Sequence, residues 1–179
     1  MSALSVAAAK IHAVATAEDE IVLAADTLVV ADDEVLGKPA HSDAARSMLR
    51  RLRGRAHQVL TGVALRRGPT SGAECVAWGG VVSTRVIMRH YAEADIDAYV
   101  ARGEPFDKAG GYAIQDDVFR PAEGLDGCYL NVVGLPLCGV VAGLEALGVV
   151  LPAEAPSAGP PPCGLCRAGA PRVSIRSLS

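Results

Sequence analysis

Apolar and polar positions along the chain fall into blocks of two different periods. Residues 21–31 (IVLAADTLVVA) form an apolar run rich in β-branched residues, which predicts a buried strand. Asp32, Asp33 and Glu34 supply its turn, and Val35 and Leu36 lead into Gly37-Lys38-Pro39. Ala45, Met48, Leu49 and Leu52 then recur at helical spacing. That helix is predicted to start at an N-cap Ser42, with Asp43 in its first turn, and to stop at Gly54. Residues 57–66 and 75–90 predict two long strands, joined by a turn over 68–72. Residues 92–102 predict a short helix ended by Gly103, and 129–133 a short strand. Residues 137–147 predict an apolar helix begun by Pro136. At the start, 2–16 predicts a helix from its alanine content, without a clear cap.

Helices alternate with strands, and one hairpin interrupts the alternation. The expected class is therefore α/β or α+β with a mixed sheet. The pattern ends at Leu151. Beyond it, 152–179 is rich in Pro, Gly, Ala and Ser and predicts a disordered tail, leaving 1–151 as one domain.

Composition narrows the function classes. Half of the 179 residues are hydrophobic but only 4% are aromatic, so the core must be aliphatic. A net charge of -3 gives no electrostatic reason to bind polymeric nucleic acid. No apolar run approaches the roughly 20 residues that span a bilayer, and the N-terminal stretch lacks the basic region of a secretory signal. Five cysteines without a tight framework (Cys75, Cys128, Cys138, Cys163, Cys166) predict a reducing, cytoplasmic compartment. Cys75, Cys128 and Cys138 read as small hydrophobes. Cys163-x-x-Cys166 is a single pair, short of the about four ligands a zinc site takes, and reads as a disulfide or incidental cysteines.

Asp26 is the most informative residue, because a carboxylate inside an apolar strand is costly unless it is paired. It is either a structural Asp bonded to backbone or a functional one. Lys38 sits in a stiff Gly-Lys-Pro turn and can reach an anion, although most turn lysines are simply solvated. The loop 103–112 carries Glu104, Asp107 and Lys108 before Gly110-Gly111. Its carboxylates suit a divalent cation and its lysine suits phosphate oxygens, or the three form internal ion pairs on a surface loop. Gln115, on an expected Tyr-Ala-Ile-Gln strand, can read a base edge or be an ordinary polar strand end. His57 and Thr61 lie on one strand, where a lone His is more often structural. No nucleophile motif occurs, so the pattern suits water attack on a metal-bound phosphate.

Five motifs in order then resemble the Maf family: Ala25-Asp26-Thr27-Leu28-Val29-Val30; Leu36-Gly37-Lys38-Pro39; residues 52–63 (LRGRAHQVLTGV); residues 103–115; and Asn131-Val132-Val133-Gly134-Leu135-Pro136. The resemblance covers 8–148. It implies an elongated mixed sheet flanked by helices, related to the inosine triphosphatases. It also implies a cytoplasmic, usually dimeric nucleoside triphosphate pyrophosphatase that needs a divalent cation, Mg²⁺ or Mn²⁺. Asp26 is then the catalytic carboxylate, and Asp26, Glu104 and Asp107 are the metal-side residues. Thr27 and Gln115 match substrate-choice positions, and Lys38, Lys10 and Lys108 match phosphate-side lysines. The Tyr112–Gln115 form is similar to the branch acting on dTTP and UTP, and on modified pyrimidine triphosphates. Two departures stand out: no Ser-Pro-Arg-Arg occurs in the chain, and Asp116 replaces the usual glycine after Gln115. The first implies that the family's opening strand and arginine loop are missing from this chain, and it keeps as the alternative a non-catalytic nucleotide- or partner-binding domain whose activity is lost with that loop.

Overall fold

The computed structural model describes residues 2–68 and 76–151. The expected turn beyond Gly68, Cys75 and the tail with Cys163 and Cys166 lie outside the described residues. The elements in chain order are α1 (Ala3–His12), β1 (Ile21–Ala31), β2 (Glu34–Leu36), α2 (Ser42–Leu52), β3 (Ala56–Arg67), β4 (Val76–Met88), α3 (Glu93–Ala101), β5 (Ala122–Asp126), α4 (Tyr129–Val133) and α5 (Leu137–Ala146). The expected α/β class is what this order builds. The five strands form one sheet in the order β2-β1-β3-β4-β5. β2 is antiparallel to β1, and β5 to β4.

The described residues divide into two compact units. The first draws on Met1–Asp26, Thr61–Ser83 and Gly127–Ser179, and the second on Thr27–Leu60 and Thr84–Asp126. In the first unit, Leu4, Ala7 and Ile11 of α1 pack on Ala64 of β3. A second cluster joins Val63, Leu65, Trp78 and Leu147. Gly62 allows a close approach of the two: a Cβ there would stand 2.3 Å from the Leu4 amide nitrogen. Arg66, fully buried, grips the other end of α1. Its guanidinium donates to the carbonyls of Ile11 (3.2 Å), Val14 (2.8 Å) and Gly68.

In the second unit, α2 buries Ala45, Leu49 and Leu52, as its spacing predicts. β1 and β2 close over Asp32 and Asp33, both at positive φ (53° and 61°), the signature of a two-residue hairpin turn. Tyr91 Oη donates to the Leu49 carbonyl at 2.6 Å, and Tyr99 stacks on Phe119 with centroids 4.3 Å apart.

Several local expectations are corrected. α1 has a cap after all: Ser2 Oγ accepts from Ser5 N at 3.1 Å, and Ser5 Oγ accepts from Ser2 N at 3.0 Å. Serine here fills the place that Glu or Gln usually takes in a capping box, which hid the signal. The cap of α2 is His41 rather than Ser42, because His41 holds the extended conformation and its Nδ1 accepts from Ala44 N. Residues 129–133 are helical, not a strand. Gly134 at φ 120° ends that turn by donating to the Leu130 and Asn131 carbonyls, so local capping overrides the β preference of the valines. β1 is mostly half-buried rather than buried, with Val29 and Ala31 as its buried members. β5 carries no periodic signal and was not expected; Gly124 fits it against Ile87. Among the described residues, no helix is long and apolar enough to cross a membrane.

Candidate active site

The Lys10 ammonium on α1 lies 2.8 Å from Oδ1 of Asp26 and 3.1 Å from the Ala25 carbonyl. The costly carboxylate in β1 is thus paired, and its side chain is 22% exposed. Oδ2 of Asp26 accepts no hydrogen bond among the described residues. One oxygen is held and the other is open, which is what a proton acceptor needs. Delivery of Lys10 rests on β3. Gly62 lets the start of α1 sit close, and Arg66 binds the carbonyl of Ile11, the residue next to Lys10. The chain leaves this unit between Asp26 and Thr27.

In the second unit, two glycine-bearing loops meet. Gly110 N donates to the Gly37 carbonyl at 3.0 Å, which joins the Gly37-Lys38-Pro39 turn to residues 104–111. A Cβ on Gly110 would stand 3.0 Å from Val29, and φ there is +75°, so both space and backbone favour glycine. The 104–111 segment is two short 3-10 turns, Glu104–Asp107 and Ala109–Gly111. Lys108 Nζ contacts Asp107 Oδ1 at 2.6 Å, the Glu104 carbonyl at 2.8 Å and Glu104 Oε2 at 3.5 Å. The expected internal ion pairs are therefore present. The Lys108 hydrogen bond, then its charge, hold the Asp107 carboxyl below its ordinary range, and Lys38 adds to this pull. Burial pulls Lys108 down, but Asp107, Tyr99 and Glu104 together outweigh it and the ammonium ends raised. Lys38 thus belongs to the same electrostatic neighbourhood as Asp107 and Lys108.

Gln115 is not on a strand. Asp116 N donates to the Ala113 carbonyl at 3.2 Å, closing a four-residue turn with Ile114 and Gln115 at its tip. The Gln115 side chain is exposed and makes no hydrogen bond among the described residues. His57 takes the structural reading: it is buried, its Nε2 lies 2.7 Å from Tyr112 Oη, and burial lowers its pKa to about 4. Thr61 is also buried, with Oγ1 donating to the Asn131 carbonyl at 3.0 Å. Cys128 is buried and Cys138 half-buried, as expected of small apolar residues.

Among the described residues, no three His, Cys, Asp or Glu side chains form a ready metal cage. The donor chemistry still suits a hard divalent cation. Glu104 and Asp107 stand on one 3-10 turn, solvent-accessible and touched by the same ammonium. Mg²⁺ is commonly held by one or two carboxylates, with substrate phosphates and water completing its shell.

Fold and loops together define an α/β protein built on a single five-stranded sheet. The chain belongs to the Maf family: the profile of Maf-like proteins matches residues 1–147. A protein of Thermomicrobium roseum named dTTP/UTP pyrophosphatase is 46% identical over 158 residues, 88% of this chain and 70% of that protein. One of the same name from Anaeromyxobacter sp. (strain Fw109-5) is 50% identical over 153 residues, covering 86% and 73%. Another of that name from Geobacter metallireducens is 46% identical over 149 residues, covering 82% and 76%.

Proposed function

We propose that this chain hydrolyses dTTP and UTP, and modified pyrimidine triphosphates, to the nucleoside monophosphate and pyrophosphate. The observation that carries the reading is the Lys10–Asp26 pair, which leaves one carboxylate oxygen open on a largely apolar strand. The relatives named dTTP/UTP pyrophosphatase support the substrate class.

In this reading Asp26 accepts a proton from water, and that water attacks the anhydride between the α- and β-phosphates. Pyrophosphate leaves, and the oxygen from water stays on the monophosphate. Lys10 orients Asp26. Lys38 and Lys108 neutralise phosphate oxygens, and displacement of Lys108 from Asp107 by phosphate would free that carboxylate. Thr27 and Gln115 select the base. Glu104 and Asp107 would hold Mg²⁺ or Mn²⁺ in the second unit, and Asp26 is the metal-side residue of the first. Such a cation, when bound, offsets phosphate charge and polarises the anhydride. The catalytic domain is residues 1–151, supported by a family match to residue 147. The reading carries a cytoplasmic location and a homodimer, with no membrane or polymeric nucleic-acid partner.

The test is pyrophosphate release from dTTP and UTP with Mg²⁺. Turnover that survives Asp26→Asn at full rate removes the assignment of Asp26. Nucleotide binding without turnover, read by calorimetry, makes the chain a binding domain instead.

A further inference from the structure

Asp116 stands directly after the exposed Gln115 and accepts four hydrogen bonds. Arg102 Nη2 reaches both of its oxygens at 2.8 Å, Val118 N donates to Oδ1 at 3.1 Å, and Phe119 N to the same oxygen at 2.6 Å. Its side chain is 9% exposed. Burial pushes its pKa up, but Arg102 and the Phe119 amide outweigh this and the carboxyl ends lowered. The other end of the same turn is also fixed. Ala113 N donates to Tyr99 Oη at 3.0 Å, and Tyr112 Oη meets His57.

The contacts of Ala113 and of Asp116 with Arg102 converge on one element. Tyr99 lies in α3 and Arg102 caps it. The Tyr99 ring stacks on Phe119, and the Arg102 guanidinium lies 5.2 Å from the Tyr99 ring centroid. The end of α3 is therefore a platform that holds residues 113, 116 and 119, while Gln115 between them makes no hydrogen bond among the described residues. A charge-assisted anchor of this kind costs ligand binding little, because the ordering is already complete before a ligand arrives.

We propose that Asp116 and Arg102 are positioning residues for base selection: they fix the turn whose tip presents Gln115 to the pyrimidine ring. The proposal rests on the reading that Gln115 contacts the base. Removing the charge of Asp116 loosens the tip without touching the phosphate-side lysines, so the loss falls on base discrimination.

The experiment measures kcat/KM for UTP and for GTP in the full chain, Asp116→Asn, Asp116→Gly, Gln115→Ala and the Gln115→Ala/Asp116→Asn double variant. Dissociation constants for α,β-methylene analogues of both nucleotides are measured alongside. Each protein's thermal unfolding is recorded. The expected result is a fall of about tenfold in the UTP-to-GTP ratio for Asp116→Asn, the size of one ordinary hydrogen bond. In the Gln115→Ala background that fall disappears. Equal losses for both nucleotides, or a Tm shift with an unchanged ratio, overturn the proposal, since a merely structural anchor would act that way. A ratio moved by Gln115→Ala but not by Asp116→Asn overturns this inference alone. A ratio unmoved by Gln115→Ala overturns the reading of Gln115 and this inference with it. A chain that binds neither analogue overturns both.

Discussion

Lys10 and Asp26 meet through a 2.8 Å contact although they lie sixteen positions apart, one on a helix and the other within an apolar strand. The pair answers the question that a carboxylate in such a strand raises. Asp26→Asn keeps the shape of the side chain but removes the proton acceptor. It is expected to lower pyrophosphate release from UTP by about 10²–10⁴-fold, the usual worth of a positioned general base. Lys10→Met leaves Asp26 ionisable but unoriented and is expected to cost about 10²-fold, in line with misplacement of a catalytic group by ångströms. Stopped-time pyrophosphate assays check both, with far-UV circular dichroism to show that the fold is retained.

Arg66 is fully buried and bonded to backbone carbonyls of Ile11, Val14 and Gly68. Arg66→Met fills much of the space but removes the guanidinium's hydrogen bonds to all three carbonyls, of which the Gly68 carbonyl keeps Thr16 Oγ1 at 2.7 Å. A loss of about 3 kcal/mol in stability is expected, as for other broken buried networks. Urea unfolding followed by Trp78 fluorescence measures it. An unchanged midpoint would mean that water replaces the guanidinium without cost.

Gly62 leaves no room for a methyl group. Its added Cβ would meet Leu4 N at 2.3 Å and Leu4 Cα at 2.5 Å, both backbone atoms that cannot rotate away. Gly62→Ala must therefore push α1 off β3. It is expected to cost about 1–3 kcal/mol and to lose activity with the displaced Lys10. Hydrogen exchange of the α1 amides, faster in the variant than in the parent, is the direct readout.

His57 supplies a pH dependence with a definite sign. Its folded pKa of about 4 lies below its ordinary 6.5, so the unfolded chain binds the proton first as pH falls. The neutral ring's contribution is complete above pH 6.5 and is lost progressively as pH drops toward 4. The full loss is up to roughly 3 kcal/mol. Stability measured at pH 7 and pH 4.5 should fall less in His57→Gln than in the parent. An equal fall would show that His57 is protonated in the folded state at the lower pH.

Much of the candidate site was legible in the sequence because its residues interrupt patterns. Asp26 breaks an apolar run, and Lys38 and Lys108 sit among glycines where the chain cannot form regular structure. The pairing of Lys10 with Asp26 was not legible, since nothing in α1 marks one lysine as the partner of a strand residue. Asp116 looked like a departure from the family's glycine, and its four hydrogen bonds came from a helix end and two amides that no local pattern connects to it. The reading of 129–133 as a strand failed for a related reason: valines favour strands, but the carbonyls that Gly134 caps are satisfied only in a helical turn.

By itself the sequence determined the apolar face of α2, the Asp32-Asp33 turn, and which family's ordered motifs the chain carries. Those properties depend on residue type and on neighbours within a few positions. Only the tertiary structure decided that Lys10 pairs with Asp26, that Gly37 and Gly110 join two loops, and that α3 anchors the turn bearing Gln115. These are contacts between segments distant in sequence, set by how whole elements pack, and no local period encodes them.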